Sequence, residues 1–437
     1  MNDPLTRMPV MMNETDLEAS AVVAPVPEDR ITGEVLKLVE KFCGPKVLTQ
    51  FLALREKAVD LEAEFLGKQN GKAKKPANDD TLDLTVEHVL SVCRRLLDDY
   101  DYQRILLGIG TICKSHGRYE SAEKAYDLLL ENGFRLKSPE YIAEAYLRRG
   151  EVYARQRRWE KSEIDLETSR TMYGQISDLI SIAKIDNILG ANFAEQGEMD
   201  KAEQAFRKAL RGFESAERKV ESGMVLLNLG ITENILGNYD EALNYYRRAT
   251  PYFQEVGDTM RLAELHHNIG MSFFFKGRIQ DAIREFDESL AYSHEIDYPV
   301  LLGLSYLGKA NAYYRLEDTV LALTFLSRAE EHFNGIHDTS GIAEVYKVKG
   351  MIFRDRKRYD VAATFFQMGV HLSGTVKNTL NQAETYFEWA LMEKKRRNEH
   401  TAKGYFQEAL AGFIKIGAAV DVARSKTELA FLQEKSK

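Results

Sequence analysis

The stretch GNYDEALNYYRRA, residues 237–249, has a near copy forty residues before it, GEMDKAEQAFRKA (197–209), and another forty residues after it, GRIQDAIREFDES (277–289). Stepping by 40 from the glycine before each phrase gives Gly110, Gly150, Gly190, Gly230, Gly270, Ala310, Gly350 and Ala390. Twelve positions later the same step gives Ala122, Ser162, Ala202, Ala242, Ala282, Ala322, Ala362 and Ala402. Four beyond those stand Tyr126, Leu166, Phe206, Tyr246, Phe286, Leu326, Phe366 and Phe406. Small residues also recur seven before the first column, from Ala143 to Ala423; only Gln103 breaks that column. If small residues fill roughly a quarter of a chain, an unbroken column of this depth arises by chance on the order of 1 in 10^5. The register runs without insertion from residue 103 to residue 430.

Within each forty-residue unit, apolar residues fall at i, i+3, i+4 and i+7, as in AEAYLRRGEVYARQ (143–156), the spacing of an amphipathic helix. Breakers at Gly117, Gly197, Gly237 and Gly277 divide each unit into two helices, A and B. Asp178, Asp258, Asp297, Asp338 and Asn378 stand between units, where a short polar side chain can accept from the free N–H groups of the next helix. Pro139 and Pro299 suit helix starts, and Pro251 is expected to kink or end helix B of its unit. Small columns let paired helices approach to the close end of the ~8–10 Å range. One hairpin cannot bury its apolar stripe alone, so units must stack.

The pattern resembles the tetratricopeptide repeat: Leu-Gly, then Gly-x-Tyr, Ala, an aromatic and Ala, as in LLNLGITENILGNYDEALNYYRRA (226–249). The 40-residue length and the NLG (228–230) and NIG (268–270) triplets are similar to the long repeats of spindle adaptors of the Pins/LGN type and of bacterial peptide-sensing regulators. The resemblance implies an all-α fold, a right-handed α-α superhelical solenoid of about eight hairpins. Glu233 and Glu393, where the family usually has an aromatic, and Ser162 for alanine are departures.

The expected organisation is a disordered stretch (1–30), a helical segment (31–66), a charged linker (67–81), a helix leading into the array (82–102), eight repeats (103–417) and a C-terminal capping helix (418–437). Pro45 in CGPK (43–46) splits the front end into two amphipathic helices, and the second, at 47–66, either docks on the first repeat as a cap or pairs with a copy of itself or a partner helix. Formal net charge is −8 (59 Lys+Arg, 67 Asp+Glu), which disfavours general nucleic-acid binding. Cys43, Cys93 and Cys113 are too few and scattered for a disulfide framework or zinc site. Acids and prolines interrupt the N-terminus, so no signal peptide is read there. With no stretch of ~18 apolar residues, no membrane span is expected, and the reading is cytoplasmic.

No Walker loop, Gly-x-Ser-x-Gly elbow or His-Glu-x-x-His motif occurs, and the glycines of GIG (108–110) suit packing. His266 and His267 point about 100° apart on a helix and share a metal poorly. The sequence therefore reads as non-enzymatic, without metal or cofactor. The stripe of helix A opposite the core offers Asn187, Asn228, Asn234, His267, Asn268, Phe274, Phe275, Asn311, Tyr314 and Arg315 as a partner-binding face, because amides both donate to and accept from a peptide backbone and aromatics give contact area at low entropy cost. By resemblance, the asparagines of NLG and NIG match peptide-contacting positions. Lys347, Lys349, Arg354, Arg356, Lys357, Arg358 and KKRR (394–397) form a basic end that could seat an acidic segment. The expected function is a scaffold or adaptor that binds a protein or peptide segment; the alternative is a regulator whose array senses a signalling peptide or small ligand.

Overall fold

The computed structural model describes residues 28–44, 86 and 89–435. The expectations for 1–27, for the second front helix at 47–66 and for the linker lie outside these residues. The described residues are helical with short turns. The helices are α1 (Glu28–Cys43), α2 (Asp99–Ser115), α3 (Tyr119–Leu136), α4 (Pro139–Arg155), α5 (Trp159–Gln175), α6 (Leu179–Glu195), α7 (Met199–Ser215), α8 (Lys219–Leu236), α9 (Tyr239–Val256), α10 (Thr259–Phe275), α11 (Ile279–Glu295), α12 (Pro299–Arg315), α13 (Thr319–Gly335), α14 (Thr339–Asp355), α15 (Tyr359–Thr375), α16 (Thr379–Lys395), α17 (Glu399–Ile416) and α18 (Ala419–Lys435). Helices α2 to α7 and α10 to α17 pair as A then B, and α18 follows as a single helix.

Turn geometry sets the stride. Every twentieth residue from Gly117 to Gly417 has positive φ, including Arg157, Ser177, Asp297 and Glu317 as well as the glycines. One left-handed residue ends each helix and its successor starts two residues later. Asp178, Asp258, Asp318, Asp338 and Asn378 cap the next helix through their side chains. Asp297, expected to do the same, is instead the left-handed residue itself (φ 51°), and Tyr298 takes the cap position without a side-chain bond. Pro251 does not end its helix, which runs on to Val256; proline removes one N–H donor, while the buried Phe253 and Ala249 on the same face hold the helix to its neighbours. The single helix expected over 82–102 is broken at Asp98, whose carboxylate accepts from the N–H groups of Tyr100 and Asp101 and opens α2.

The chain falls into two compact units, divided at residues 228 and 229. In the first, α1 lies on α2. Val35 and Val39 are buried there, and Leu38 covers Gly108, where a Cβ would lie 2.7 Å from Leu38 Cδ2. Glu34 reaches His116 at 3.1 Å. The hairpins α2–α3, α4–α5 and α6–α7 stack around Tyr126, Leu166 and Phe206, each fully buried. Burying such a side chain contributes about 2–3 kcal/mol. Ser162 is accommodated among the alanines because its hydroxyl donates to Gly150 O (2.8 Å) and accepts from Asn192 Nδ2 (3.0 Å).

In the second unit, α10–α11, α12–α13, α14–α15 and α16–α17 stack in the same way, and α18 covers α17. Phe286 serves two glycines. An added Cβ at Gly270 of its own hairpin or at Gly308 of the next would stand 2.7 or 2.6 Å from the ring. The repeated rings thus pack within a hairpin and against its successor.

Candidate functional site

Within each unit, successive A helices touch one another as well as their own B helices, so the A helices form a common face. A pocket of about 110 Å³ lies on that face in the second unit. Four A helices build it: His267 and Met271 from α10, Leu304, Leu307, Gly308 and Asn311 from α12, Gly341 and Glu344 from α14, and Leu380, Asn381 and Glu384 from α16, with Asp338, Ser340 and Asn378 at the helix starts. Aliphatic side chains and polar acceptors therefore converge on one concavity. A smaller pocket of about 70 Å³ in the first unit is lined by Leu147, Arg148, Glu151, Lys184, Asn187 and Glu221 among others.

The polar groups around the larger pocket are tied together. Lys347, 1% exposed, donates to Glu384 (2.6 Å) and pairs with Glu344 (2.8 Å). Burial opposes its charge, but the two carboxylates win and hold its pKa above the ordinary lysine value. Burial, reinforced by the Glu344 charge, outweighs Lys347 and pushes Glu384 up to about 7. Asn381 donates to Glu344, and Asn378 donates to Ser340 at 2.8 Å. Asp338 accepts the Gly341 N–H at 3.0 Å. His267 lies 3.1 Å from the Ser305 hydroxyl, and burial pushes its pKa down to about 4, so it is neutral at pH 7. Asn311 is 7% exposed, and among the described residues its Oδ1 accepts from no donor. An unbonded buried acceptor costs about 1–3 kcal/mol, which a ligand donor would recover.

The sequence-derived residues divide accordingly. His267 and Asn311 line the larger pocket and Asn187 the smaller. Asn228 is 1% exposed and donates to Asn187 Oδ1 at 3.2 Å. Asn234 donates to Tyr246 Oη (3.0 Å) and accepts from Ser272 (2.8 Å). Asn268 is buried, and its backbone carbonyl accepts from the Ser272 hydroxyl at 3.0 Å. Phe274 is 1% exposed, with the exposed Arg315 guanidinium 5.0 Å from its ring centre. Tyr314 donates to Asp355. Lys347 and Arg354, read as part of a basic end, are both buried; Arg354 pairs with Glu388 and with Asp355. Their charge is balanced inside the protein.

Sequence reasoning missed Met271, Leu304, Glu344, Asn381 and Glu384. Around this pocket, three contacts between neighbouring A helices join residues 37 or 38 apart: Lys347–Glu384, Asn381–Glu344 and Asn378–Ser340. A search at that offset would have joined Glu344 to Asn381 and Lys347 to Glu384. His266 turns away to Glu285 (2.7 Å), so the two histidines diverge. Among the described residues, no group of three His, Cys, Asp or Glu side chains could hold a metal ion, and no helix is long and apolar enough to cross a membrane.

This architecture defines a helical-hairpin repeat protein. The model of the tetratricopeptide-repeat family matches residues 141–215 and 221–293, and each of the two units is an all-α stack of helical hairpins. No curated protein matches it by sequence. Among solved structures it is similar to the apo form of the quorum sensor NprR from B. thuringiensis (16% identity, TM-score 0.60, covering 77% of this chain and 94% of that one). It is also similar to aspartyl phosphate phosphatase F from Bacillus subtilis (14%, TM-score 0.57, 90% and 96%). A third is the Rap conjugation gene regulator of plasmid pLS20 in complex with the Phr* peptide (13%, TM-score 0.54, 90% and 98%). At these identities the likeness is one of fold.

Proposed function

We propose that this protein is a non-enzymatic scaffold or adaptor that binds a peptide or protein segment on its A-helix face, with the pocket between α10, α12, α14 and α16 as the anchor. The observation that carries this reading is the pocket's lining: aliphatic side chains beside amides, with the acceptor of Asn311 unbonded among the described residues. Concave, mostly apolar sites with a few convergent polar groups are the usual form of a ligand site. The titratable groups around it pair with one another as structural ion pairs do, so the reading assigns them no catalytic step. The reading places the protein in the cytoplasm, with a partner that is neither nucleic acid nor membrane. A strongly acidic segment is the weaker version of the proposal, because Lys347 and Arg354 already face carboxylates.

A second reading, a sensor that responds to a signalling peptide, is favoured by a specific likeness. NprR is described as a quorum sensor, and the Rap regulator of pLS20 was solved with a peptide bound; their folds cover 77% and 90% of this chain. In that case α1, docked on α2, belongs to the output end.

Selection of short peptides from a random display library on the whole protein tests the proposal. Peptides recovered should bind wild type and lose about tenfold or more in affinity to Ser340→Trp, which places a ring at the pocket. Equal affinity for both proteins would remove the pocket from the account. A scattering radius that changes on peptide binding would favour the sensor; an unchanged radius, the adaptor.

A further inference from the structure

The pocket has an excess of acceptors and of negative charge. Three carboxylates line it (Asp338, Glu344 and Glu384), whereas no lysine or arginine does. The buried Lys347 pairs with two of them, Glu344 and Glu384. Asp338 is occupied as a helix cap. Glu384 Oε1 accepts no hydrogen bond among the described residues, and neither does Asn311 Oδ1. His267 adds no positive charge at neutral pH. Beside these acceptors stand Met271, Leu304, Leu307 and Leu380. One lysine stands against three carboxylates, and even with Glu384 pushed up to about 7 by burial the net charge is negative; an anion would be repelled, and a neutral donor would leave the charge unbalanced.

We propose that this pocket binds an alkylammonium group, with the hydrocarbon part against Met271, Leu304, Leu307 and Leu380 and the N–H donors on Asn311 Oδ1, Glu344 and Glu384. A peptide's free amino terminus on an aliphatic residue and a lysine side chain both present that chemistry. The binding of the ammonium follows from the pocket alone; its assignment to a peptide rests on the proposed function.

The test uses the full chain with methionine methyl groups isotopically labelled, because Met271 lines the pocket and reports occupancy by NMR; Met271→Leu assigns its signal. Three probes share one skeleton: 3-methylbutylammonium, 3-methylbutanol and 3-methylbutanoate. The ammonium should shift the Met271 methyl saturably, about tenfold more tightly than the alcohol, and the carboxylate should not compete. Glu344→Gln should weaken the ammonium severalfold and leave the alcohol unchanged. Should that variant fold poorly, the comparison of the three probes on wild type decides alone. Equal affinity of ammonium and alcohol, tighter binding of the carboxylate, or no shift at Met271 would overturn the proposal. Leu-Gly-Gly and N-acetyl-lysine amide then separate the sources: displacement of the ammonium by the first assigns an amino terminus, and by the second a lysine side chain. A library-selected peptide that moves Met271 while the ammonium does not would leave the peptide reading standing without this one. The reverse pattern would retain the ammonium site and remove the peptide.

Discussion

Gly230 lies against the ring of Tyr246 so closely that an alanine Cβ at that position would stand 2.3 Å from the ring's Cε1. The same contact recurs forty residues to either side, at Gly190 with Phe206 and Gly270 with Phe286. Each glycine thus exists for a neighbour's ring. An exposed helical glycine replaced by alanine gains up to about 1 kcal/mol, but here the tightness reverses the sign. Gly230→Ala should lower stability by about 1–3 kcal/mol through overpacking, while Gly404→Ala, with nothing within 4 Å of the added atom, should raise it. Urea midpoints of the two variants check the pair; a stabilised Gly230→Ala would mean that the ring is free to move.

The left-handed turns offer a second measurement. Glu317 holds φ at 61° without being glycine, a conformation that costs an L-residue about 1–2 kcal/mol. Glu317→Gly should stabilise the protein by roughly 0.5–1 kcal/mol after the entropic cost of glycine. Thermal unfolding would show a raised midpoint, and a lowered one would place the glutamate side chain in a contact of greater worth than the strain.

Gln103 stands in the column that is small in the other repeats, is 0% exposed, and among the described residues neither of its amide atoms has a hydrogen-bond partner. Gln103→Met keeps the length and removes two unsatisfied polar atoms, so stability should rise by about 1 kcal/mol or more. A fall in the midpoint would indicate that the amide has a partner.

Burial of His267 carries a pH signature. Its pKa is pushed down to about 4, against about 6.5 in an unfolded chain. Between these values the unfolded chain takes up a proton that the folded chain refuses. Stability is therefore lost as pH falls from about 6.5 to about 4, by roughly 3 kcal/mol in all. His267→Gln should flatten that part of the wild-type curve, read as the difference between the two proteins; parallel curves would place the imidazole in contact with water.

The repeat was legible in the sequence because packing columns keep one stride. Tyr126, Phe206, Tyr246 and Phe286 fall where the 40-residue step put them, each fully buried. Turn details were less legible: aspartate serves as a cap at Asp258 and as the left-handed residue at Asp297, two uses the same side chain permits. The site was only partly legible. His267, Asn187 and Asn311 reached pockets, while Asn228 and Asn234 went to bonds between helices. A stripe drawn on one helix cannot register its neighbour's offset, and the bonds that pair Lys347 with Glu384 or Asn381 with Glu344 step by 37 rather than 40.

Hydrogen exchange on the full chain, with and without a library-selected peptide, tests the central claim most directly. The account predicts added protection in α10, α12, α14 and α16, residues 259–275, 299–315, 339–355 and 379–395, with α11, α13 and α15 little changed. Protection concentrated in those B helices instead, or none in the second unit, would contradict it.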